Sequence, residues 1–531
     1  MKKINKFGIG AALLMASTLM TTSCIDETYP TGSVTEEQIQ GSSTASENLL
    51  MGIPAYMNTA MSTSRHWMYG YGALIYIRDV ETADFLRQNS NYDQFSYFAR
   101  NQYQGRDYIF AQYLWNFQYY CVNKCNTFLQ TVKEDGATAD QLAYRSAAFA
   151  FRAMFYLDIA REYEFLANDK TSSVNNDGND VSGLTAPIVD ENTTEEGSRN
   201  NPRATREKMA EFILSDLQKA EAHIADLSVS SHTLPHLDCV YGLYARYYMW
   251  LENYAKAEEY AAKAIAASST APLTQTEGLD VATGCNDITK WMWGSQYTKE
   301  ALPNNLINWV SFSSNETAFG YAGGGGVTTE INSNLYDKIG NNDWRKLWWK
   351  APEGSTLDGK NTYCDAELGE NLPEYASLKF RPAQGNTTTY SVACISAYPL
   401  MRVEEMFFIE AEAAAQQGKL DEAKQIVTNF MKIYRDPTYS VPSNVTTKED
   451  LVDEIVLQKR IELWGEGQSF FDIKRLNMAV VRSGANYTTS AEIFNTTTRP
   501  AWMNWVIVKT EEDGNAGIKG YNNPDPTDAY K

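Results

Sequence analysis

Apolar positions recur every three or four residues through long stretches of the chain, a spacing that predicts amphipathic α-helices. Residues 139–163 are the clearest case, because large and small side chains alternate along one stripe that includes Phe149, Ala153 and Tyr156. Residues 206–227 repeat the spacing. Each segment is therefore predicted to be a helix with one side facing the core.

Helices are predicted to pair in at least two places. Residues 241–251 and 255–267 are separated by a break of three residues, and residues 404–417 and 419–434 flank Gly418, a residue suited to the end of a helix. Small side chains and tight breaks are typical of tetratricopeptide (TPR) repeats. The pattern is irregular, so we expect about four degenerate TPR-like pairs.

Helical periodicity fades between residues 268 and 397. This region holds several tryptophans, a glycine run at 323–326 and many Asn, Thr and Ser residues, and short strands are predicted near 375–381. The alternation Trp291-Met292-Trp293 fits either a buried strand or exposed rings. Long irregular segments in compact proteins usually carry function, so this region is expected to hold the ligand, with the glycine run as a mobile loop beside it.

The N-terminus has the pattern of an export signal. Three lysines precede an apolar run that ends at Met20 and is shorter than the roughly 20 residues of a membrane span. Small residues then lead into Cys24. This order predicts removal of residues 1–23 and attachment of lipid to Cys24, followed by a linker over 24–46. An uncleaved membrane anchor is the alternative.

Composition narrows the class of protein. The formal net charge of −20 argues against nucleic acid and anionic membrane surfaces as partners, and 43% hydrophobic residues exclude a wholly disordered chain. The 33 Tyr, 12 Trp and 21 Phe residues often lie among polar ones, which predicts exposed rings on which sugars stack. Apart from Cys24, six cysteines remain, and buried free thiols or disulfides both fit them.

The C-terminal quarter carries two blocks with a recognisable pattern. The first is Tyr398-Pro-Leu-Met-Arg-Val-Glu-Glu405, and the second starts at residue 455 and ends with Phe-Phe-Asp-Ile-Lys-Arg at 470–475. Both blocks resemble those of the SusD/RagB family. Asp343-Trp344-Arg345 resembles the Asp-x-Arg of the same family. Together with the leader and the helix pairs, the similarity extends over essentially the whole chain.

Two positions depart from the family pattern: Gln458 stands where Glu is common, and Ser469 where Arg often occurs. The charged residues of the two blocks are interpreted as a buried ion network. They are Arg402, Glu405, Arg460, Glu462, Glu466, Asp472 and Arg475.

The resemblance implies a mostly α-helical SusD-like fold with TPR-like pairs over 47–267, a loop-rich ligand-binding region over 268–397 and a SusD/RagB region over 398–531. It implies a lipoprotein on the outer face of the outer membrane, since residues 25–27 also resemble the acidic export tag of such proteins. The implied role is glycan binding and delivery to a SusC-like TonB-dependent transporter, without catalysis. Some members take up peptides, which is the alternative.

Two aromatic clusters are candidate glycan contacts, with local packing as the alternative for both. The first contains Trp67, Tyr69 and Tyr71, with Arg78 further along the chain. The second contains Trp291, Trp293, Tyr297, Trp309, Phe319 and Tyr321, with asparagines such as Asn315 nearby to bind hydroxyl groups.

Other functions fit the sequence less well. A glycoside hydrolase needs two carboxylates at a defined separation, and 66 acidic residues point to no particular pair. A pure TPR scaffold leaves the aromatic loops unexplained. His232, His236 and Cys239 have the spacing of zinc ligands, but Pro235 is expected to start a helix that excludes His232. We therefore predict no metal or other cofactor, although structural calcium stays open.

Overall fold

The computed structural model of the protein describes residues 35–88, 94–527 and 529. The predicted export signal, the predicted lipidation site Cys24 and the predicted linker up to residue 34 lie outside these residues. In the described part the chain is mostly α-helical, as predicted, with a few short strands.

Eleven helices of seven or more residues occur in the described part of the chain. They are α1 Ser43–Met57, α2 Tyr71–Val80, α3 Ile109–Thr131, α4 Ala139–Tyr163, α5 Arg206–His223, α6 Leu237–Trp250, α7 Tyr254–Ala267, α8 Val403–Gln416, α9 Leu420–Tyr434, α10 Lys448–Glu462 and α11 Ser469–Arg475. The strands are β1 Phe85–Arg87, β2 Trp293–Gln296, β3 Thr329–Ile331 and β4 Ala397–Met401.

The predicted helix at 139–163 is confirmed at both ends. The Thr138 side chain caps the start of α4 by accepting a hydrogen bond from the backbone N–H of Gln141. The Gln141 side chain in turn accepts one from the backbone N–H of Thr138. Helix α5 starts as predicted but ends at His223, where a 3₁₀ turn over Ile224–Asp226 replaces its last residues.

The two predicted helix pairs are confirmed. Between α6 and α7 the chain turns at Glu252, which has φ +57°, and between α8 and α9 it turns at Gly418, which has φ +80°. Glycine adopts such a conformation without the strain that a Cβ would add. Helices α7, α8 and α9 pack in sequence, and α4 packs against α3 and α5, so the helices form a layered array.

The start of the first helix corrects the predicted linker. Helix formation begins at Glu36–Gln40, which Thr35 caps, and α1 begins at Ser43 under a cap from Ser42. Residues 35–46 are therefore largely helical, because the small polar residues that suggested a linker act as N-caps.

The loop-rich region contains two small antiparallel sheets. Strand β1 pairs with β3, and β2 pairs with β4. Trp293 begins β2 and is fully buried, so of the two interpretations of Trp291-Met292-Trp293 the buried strand is correct. The predicted strand near 375–381 is wrong as a continuous element: its residues form single bridges with three different partners, which prevents a ladder from extending.

The predicted ion network is present and buried. Glu462 pairs with Arg345, Arg402 and Arg435, while Glu466 pairs with Arg402. The remaining predicted members also form ion pairs, Glu405 with Arg246, Arg460 with Asp84, and Arg475 with Asp472.

The two departures from the family pattern have different surroundings. Gln458 still accepts a hydrogen bond of 2.6 Å from Arg345, so it fills the role of a carboxylate there. Ser469 is buried, and its hydroxyl has no hydrogen-bond partner among the described residues.

All six cysteines of the described part are free thiols; five are buried and Cys364 is partly exposed. None of the described helices has both the length and the apolar character needed to cross a membrane. Within residues 35–88 and 94–527, no group of three or more His, Cys, Asp or Glu side chains is placed to hold a metal ion.

Candidate functional site

A cleft of about 560 Å³ opens in the loop-rich region between three segments of chain. Its walls come from residues 315–328, which contain the glycine run, from residues 365–373, and from Thr387 and Thr388. We call this feature the glycine-turn cleft. Its volume lies in the range of sites that bind small molecules.

The first wall depends on glycine for steric reasons. Residues Gly320–Gly324 form a single π-helical turn. A Cβ added at Gly323 would lie 2.0 Å from the carbonyl oxygen of Thr317, and one at Gly324 would lie 2.7 Å from that of Ala318. Any residue other than glycine at these two positions would therefore clash with backbone carbonyl groups of the same wall.

The base of the cleft is held by one asparagine. The Asn315 amide donates to the carbonyls of Thr329 and Ser377 at 2.8 and 2.9 Å, and its Oδ1 accepts from the Thr329 N–H at 2.9 Å. Asn315 is fully buried. These bonds connect the glycine turn to strand β3 and fix its position.

The opposite wall is a short helix, Ala366–Glu370, with the loop that follows it. Asp365 caps this helix, since its Oδ1 accepts from the Leu368 N–H at 3.0 Å. The Lys350 ammonium donates to the carbonyls of Glu370 and Leu372 and so secures the far end. The first wall is thus held by buried hydrogen bonds, and the second by bonds that are exposed or partly buried.

Two aromatic residues are close in the chain to lining residues of the cleft. Phe319 follows the lining residue Ala318, and Tyr390 follows the lining residue Thr388 by two positions. Their ring centroids are 6.5 Å apart at 72°, and Tyr390 is 44% exposed. A hydrogen bond of 2.8 Å from the Ala318 N–H to the Thr387 carbonyl joins the two segments. The site therefore combines hydroxyl, amide and carboxylate groups with exposed ring surface.

The nine side chains predicted as glycan contacts are all buried. They are Trp67, Tyr69, Tyr71, Arg78, Trp291, Trp293, Tyr297, Trp309 and Tyr321, and each is 5% exposed or less. The expectation that these residues present exposed rings is wrong. The rings pack against other rings, which is favourable for large aromatic side chains wherever the fold brings them together.

Particular contacts show how these residues are used. Trp67 packs 4.9 Å from Phe110, and Tyr69 stacks on Phe312 at the same centroid distance. Arg78 is fully buried in ion pairs with Asp158 and Glu162. These side chains belong to the core of the helical region.

Tyr321 is the predicted residue that lies nearest to the cleft. It precedes the lining residue Ala322, stacks on Phe312 at 4.7 Å, and its hydroxyl is 2.7 Å from Nδ1 of His66. Tyr321 is part of the glycine turn and therefore packs the turn against Phe312. Through His66 it also connects the turn to the loop that precedes α2.

A second exposed aromatic surface lies elsewhere. Tyr97, Tyr103 and Tyr108 are 40%, 43% and 38% exposed, and Tyr103 lies 5.0 Å from each of the other two rings. Asn101 and Tyr103 both have positive φ, and the Asn101 amide bonds the carbonyl of Pro526. The C-terminal segment thus holds this loop in a conformation that non-glycine residues rarely adopt.

Sequence reasoning found part of the site and missed the rest. The glycine run and Asn315 were expected near a ligand and line the cleft, and Phe319, also expected there, follows the lining residue Ala318. Tyr390 and residues 365–373 were missed, because short polar loops carry no periodic signal. The segment that contains Tyr390 meets the glycine turn through the bond between Ala318 and Thr387, which are about 70 residues apart in the chain.

Two family models match the chain. One, described as the SusD family, matches residues 318–528, and the other, described as starch-binding associating with outer membrane, matches residues 43–249. The helical scaffold and the loop-rich region agree with these two matches. The chain belongs to the SusD/RagB family.

Individual relatives agree with this assignment. The SusD-like protein P38 of Formosa agariphila is 21% identical over 515 residues, which cover 90% of this chain and 93% of that protein. A solved SusD-like carbohydrate binding protein from Bacteroides vulgatus has a TM-score of 0.71 at 20% identity, covering 91% of this chain and 98% of that one. A SusD superfamily protein from Bacteroides thetaiotaomicron has a TM-score of 0.68 at 18% identity, covering 91% and 100%. At these identities the structures establish a shared fold.

Proposed function

We propose that this protein binds a glycan in the glycine-turn cleft, does not cleave it, and delivers it to a SusC-like TonB-dependent transporter. The observation that carries the proposal is an open cleft of about 560 Å³ whose lining includes hydroxyl, amide and carboxylate side chains, with the 44% exposed Tyr390 two positions after the lining residue Thr388. Sugars present hydroxyl groups at their rims and apolar C–H groups on their faces, and such a cleft offers partners for both.

The family supports the choice of ligand. One model that matches the chain is described as starch-binding, and one structural relative is described as carbohydrate binding. The description of the starch-binding model also names association with the outer membrane. This agrees with the predicted export signal and with predicted lipid attachment at Cys24. Lipid anchoring on the outer face would keep the cleft beside the transporter.

The carboxylates of the cleft support binding rather than cleavage. Asp365 is engaged as a helix cap, and Glu367 is exposed on the first turn of the same short helix. Hydrolysis of a glycosidic bond needs one carboxyl group held as an acid and a second at a defined distance across the bond. Two acids on one turn of the same wall do not flank a substrate in that way.

The test is to incubate the mature protein with a panel of polysaccharides and oligosaccharides, and in parallel with a panel of peptides. We expect reversible binding to at least one glycan, measured by isothermal titration calorimetry, and no new reducing ends. Released reducing ends would show a hydrolase. Binding to peptides alone would show peptide uptake, and binding to neither would overturn the proposal.

The site within the protein is tested by Tyr390→Ala. Loss of its exposed ring is expected to weaken glycan affinity by about 5- to 30-fold, since a ring contact with a sugar contributes about 1–2 kcal/mol. Tyr521→Ala is the matched control, because Tyr521 is also 44% exposed and is remote from the cleft lining. Equal affinities of the two variants would exclude the glycine-turn cleft as the site.

A further inference from the structure

A second cavity lies inside the helical scaffold, among α4, α6, α8, α10 and α11. It has a volume of about 40 Å³, and cationic side chains dominate its wall. These are Arg161, Arg206, Arg246, Lys459, Lys474 and Arg475. Three carboxylates also line it, from Glu252, Glu405 and Asp472. We call it the inner cationic cavity; such a group of cations is notable in a chain with a net charge of −20.

Some of these cations are fully paired. Arg246 forms a two-point ion pair with Glu405 at 2.8 and 2.6 Å. Arg206 pairs with Glu164 at 2.7 Å. These arginines need no further counter-charge.

Other cations share a carboxylate. Lys459 and Arg475 both contact Asp472, at 2.9 and 3.3 Å, and Arg475 also contacts Glu412 at 2.7 Å. The buried Nη1 of Arg475 has no hydrogen-bond acceptor among the described residues. This part of the wall therefore retains an unused donor.

Lys474 is the cation with the least compensation. The residue is 2% exposed, and its ammonium donates to the backbone carbonyl of Glu162 at 2.7 Å. In the described part of the chain no carboxylate lies within ion-pair distance of it. Burial, together with the nearby Arg499, lowers the pKa of Lys474 to about 7. A buried cation without a counter-ion is costly, so an anion beside it would be stabilised.

The inner cationic cavity adjoins an open outer cleft of about 580 Å³. The two share Leu166, Arg206 and Glu252 in their walls. The inner space suffices for about three water molecules, or for an anion of similar size, by the rule of about 10–15 Å³ for each water. A bare halide or a single carboxylate group meets this limit.

We propose that the inner cationic cavity binds a small monovalent anion, either a halide or a carboxylate group, beside Lys474 and Arg475. The carboxylate can come from a free acid or from a larger molecule that occupies the outer cleft. This site is separate from the glycine-turn cleft, with which it shares no lining residue. The proposal of an anion site therefore does not depend on the proposed glycan site.

The first test uses the intact mature protein without any substitution. Sodium bromide or sodium acetate replaces an equal ionic strength of sodium HEPES, whose sulfonate is too large for the cavity. We expect a saturable rise of about 1–3 °C in melting temperature. Crystals soaked in bromide should show an anomalous peak inside the cavity. The absence of both effects would overturn the proposal.

The second test locates the anion. Lys474→Met removes the uncompensated charge and is expected to abolish the response to bromide and acetate. Lys519→Met is the control, since Lys519 is exposed and distant from the cavity wall, and it should keep the full response. A bromide response retained in Lys474→Met would place the anion elsewhere. The anomalous peak in the unsubstituted protein decides the question if that variant fails to fold.

The source of the carboxylate is tested with D-glucuronate, acetate and D-glucose. Glucuronate binding at least tenfold more tightly than acetate, with no binding of glucose, would show that a larger acid also uses the outer cleft. Equal affinities of glucuronate and acetate would identify a free-ion site. Glucose binding as tightly as glucuronate would contradict recognition of the anion.

Discussion

Trp309 lies at the start of a short helix, Trp309–Ser313, that packs against the glycine turn. Its ring is 5.3 Å from that of Phe380 and 5.4 Å from that of Tyr398, and its side chain is 1% exposed. The indole N–H has no acceptor among the described residues, so the residue contributes packing rather than a hydrogen bond. Its function is to support the cleft from the core.

We predict that Trp309→Phe lowers the free energy of unfolding by about 1–3 kcal/mol, because it leaves a small cavity, while glycan affinity stays unchanged. Urea denaturation and calorimetric titration measure the two quantities. Tyr390→Ala provides the opposite pattern, with affinity lost and stability kept. A large loss of glycan affinity in Trp309→Phe without a change in the free energy of unfolding would contradict this prediction and would indicate that Trp309 contacts the glycan.

Glu330 has a different role at the residue scale. It is buried in β3, and its carboxylate accepts from the amides of Gln88 and Asn486 at 2.8 and 3.0 Å. Burial raises the pKa of Glu330 to about 7, although the two amide bonds act in the opposite direction. The folded protein therefore holds a proton here at pH values where the unfolded chain has released it.

This difference predicts a pH dependence. The free energy of unfolding of the native protein, relative to that of Glu330→Gln, should fall as pH rises from 4.5 to about 7, by up to about 3 kcal/mol, and stay level above that. The sign follows because the folded state binds more protons than the unfolded state in this window. Urea denaturation at several pH values measures it, and a constant difference would contradict it.

At the scale of elements, the glycine turn is the segment whose shape most directly forms the site. Gly323 lies against the backbone of residue 317, whereas Gly326 has open space where a Cβ would be but has φ +67°. The two glycines thus answer different needs, one steric and the other conformational. The turn is defined by backbone contacts within 317–327, which include the bond from the Val327 N–H to the Tyr321 carbonyl.

We predict that Gly323→Ala lowers the free energy of unfolding by about 1–3 kcal/mol and also weakens glycan binding, because the added methyl group must displace the Thr317 carbonyl. Gly514→Ala is the control, since its added methyl would meet nothing within 4 Å. Thermal melting and calorimetric titration report on both effects. Identical behaviour of the two variants would contradict the role given to the turn.

The helical elements were predictable because their signals are local. The bounds of α4 follow from a capping box and from a stripe within 25 residues, and the turn at Gly418 follows from one residue type. The predicted strand near 375–381 failed for the opposite reason. Its residues pair with positions 284, 330 and 349, and no local pattern records those partners.

At the scale of the whole molecule, Glu462 connects three distant parts of the chain. Its carboxylate contacts Arg345, Arg402 and Arg435 at 2.7 to 3.1 Å, and all four side chains are fully buried. Burial alone would raise the pKa of Glu462, but the three guanidinium groups hold it well below its usual range. The loop-rich region, the start of α8 and the end of α9 thereby meet on α10.

We predict that Glu462→Gln lowers the free energy of unfolding at pH 7 by about 3–5 kcal/mol, because three buried guanidinium groups lose their shared anion. The advantage of the native protein should be complete above the ordinary pKa of about 4.5 and shrink steadily as pH falls from there toward the depressed folded-state pKa. Glu353→Gln, at an exposed position, is the control. Urea denaturation of both variants at pH 3 to 7 provides the measurement, and a difference that is as large at pH 3 as at pH 7 would contradict the assignment.

The sequence by itself determined the helices, their pairing, the charged blocks and the family, because helix periodicity, capping and short motifs are encoded by neighbouring residues. It also located the glycine run. The tertiary structure decided which aromatic rings face solvent and which segments meet at the cleft. Trp291 and Tyr390 both lie among polar residues in the sequence, yet one is fully buried and the other 44% exposed. Burial depends on contacts between distant segments, and those contacts exist only once the chain has folded.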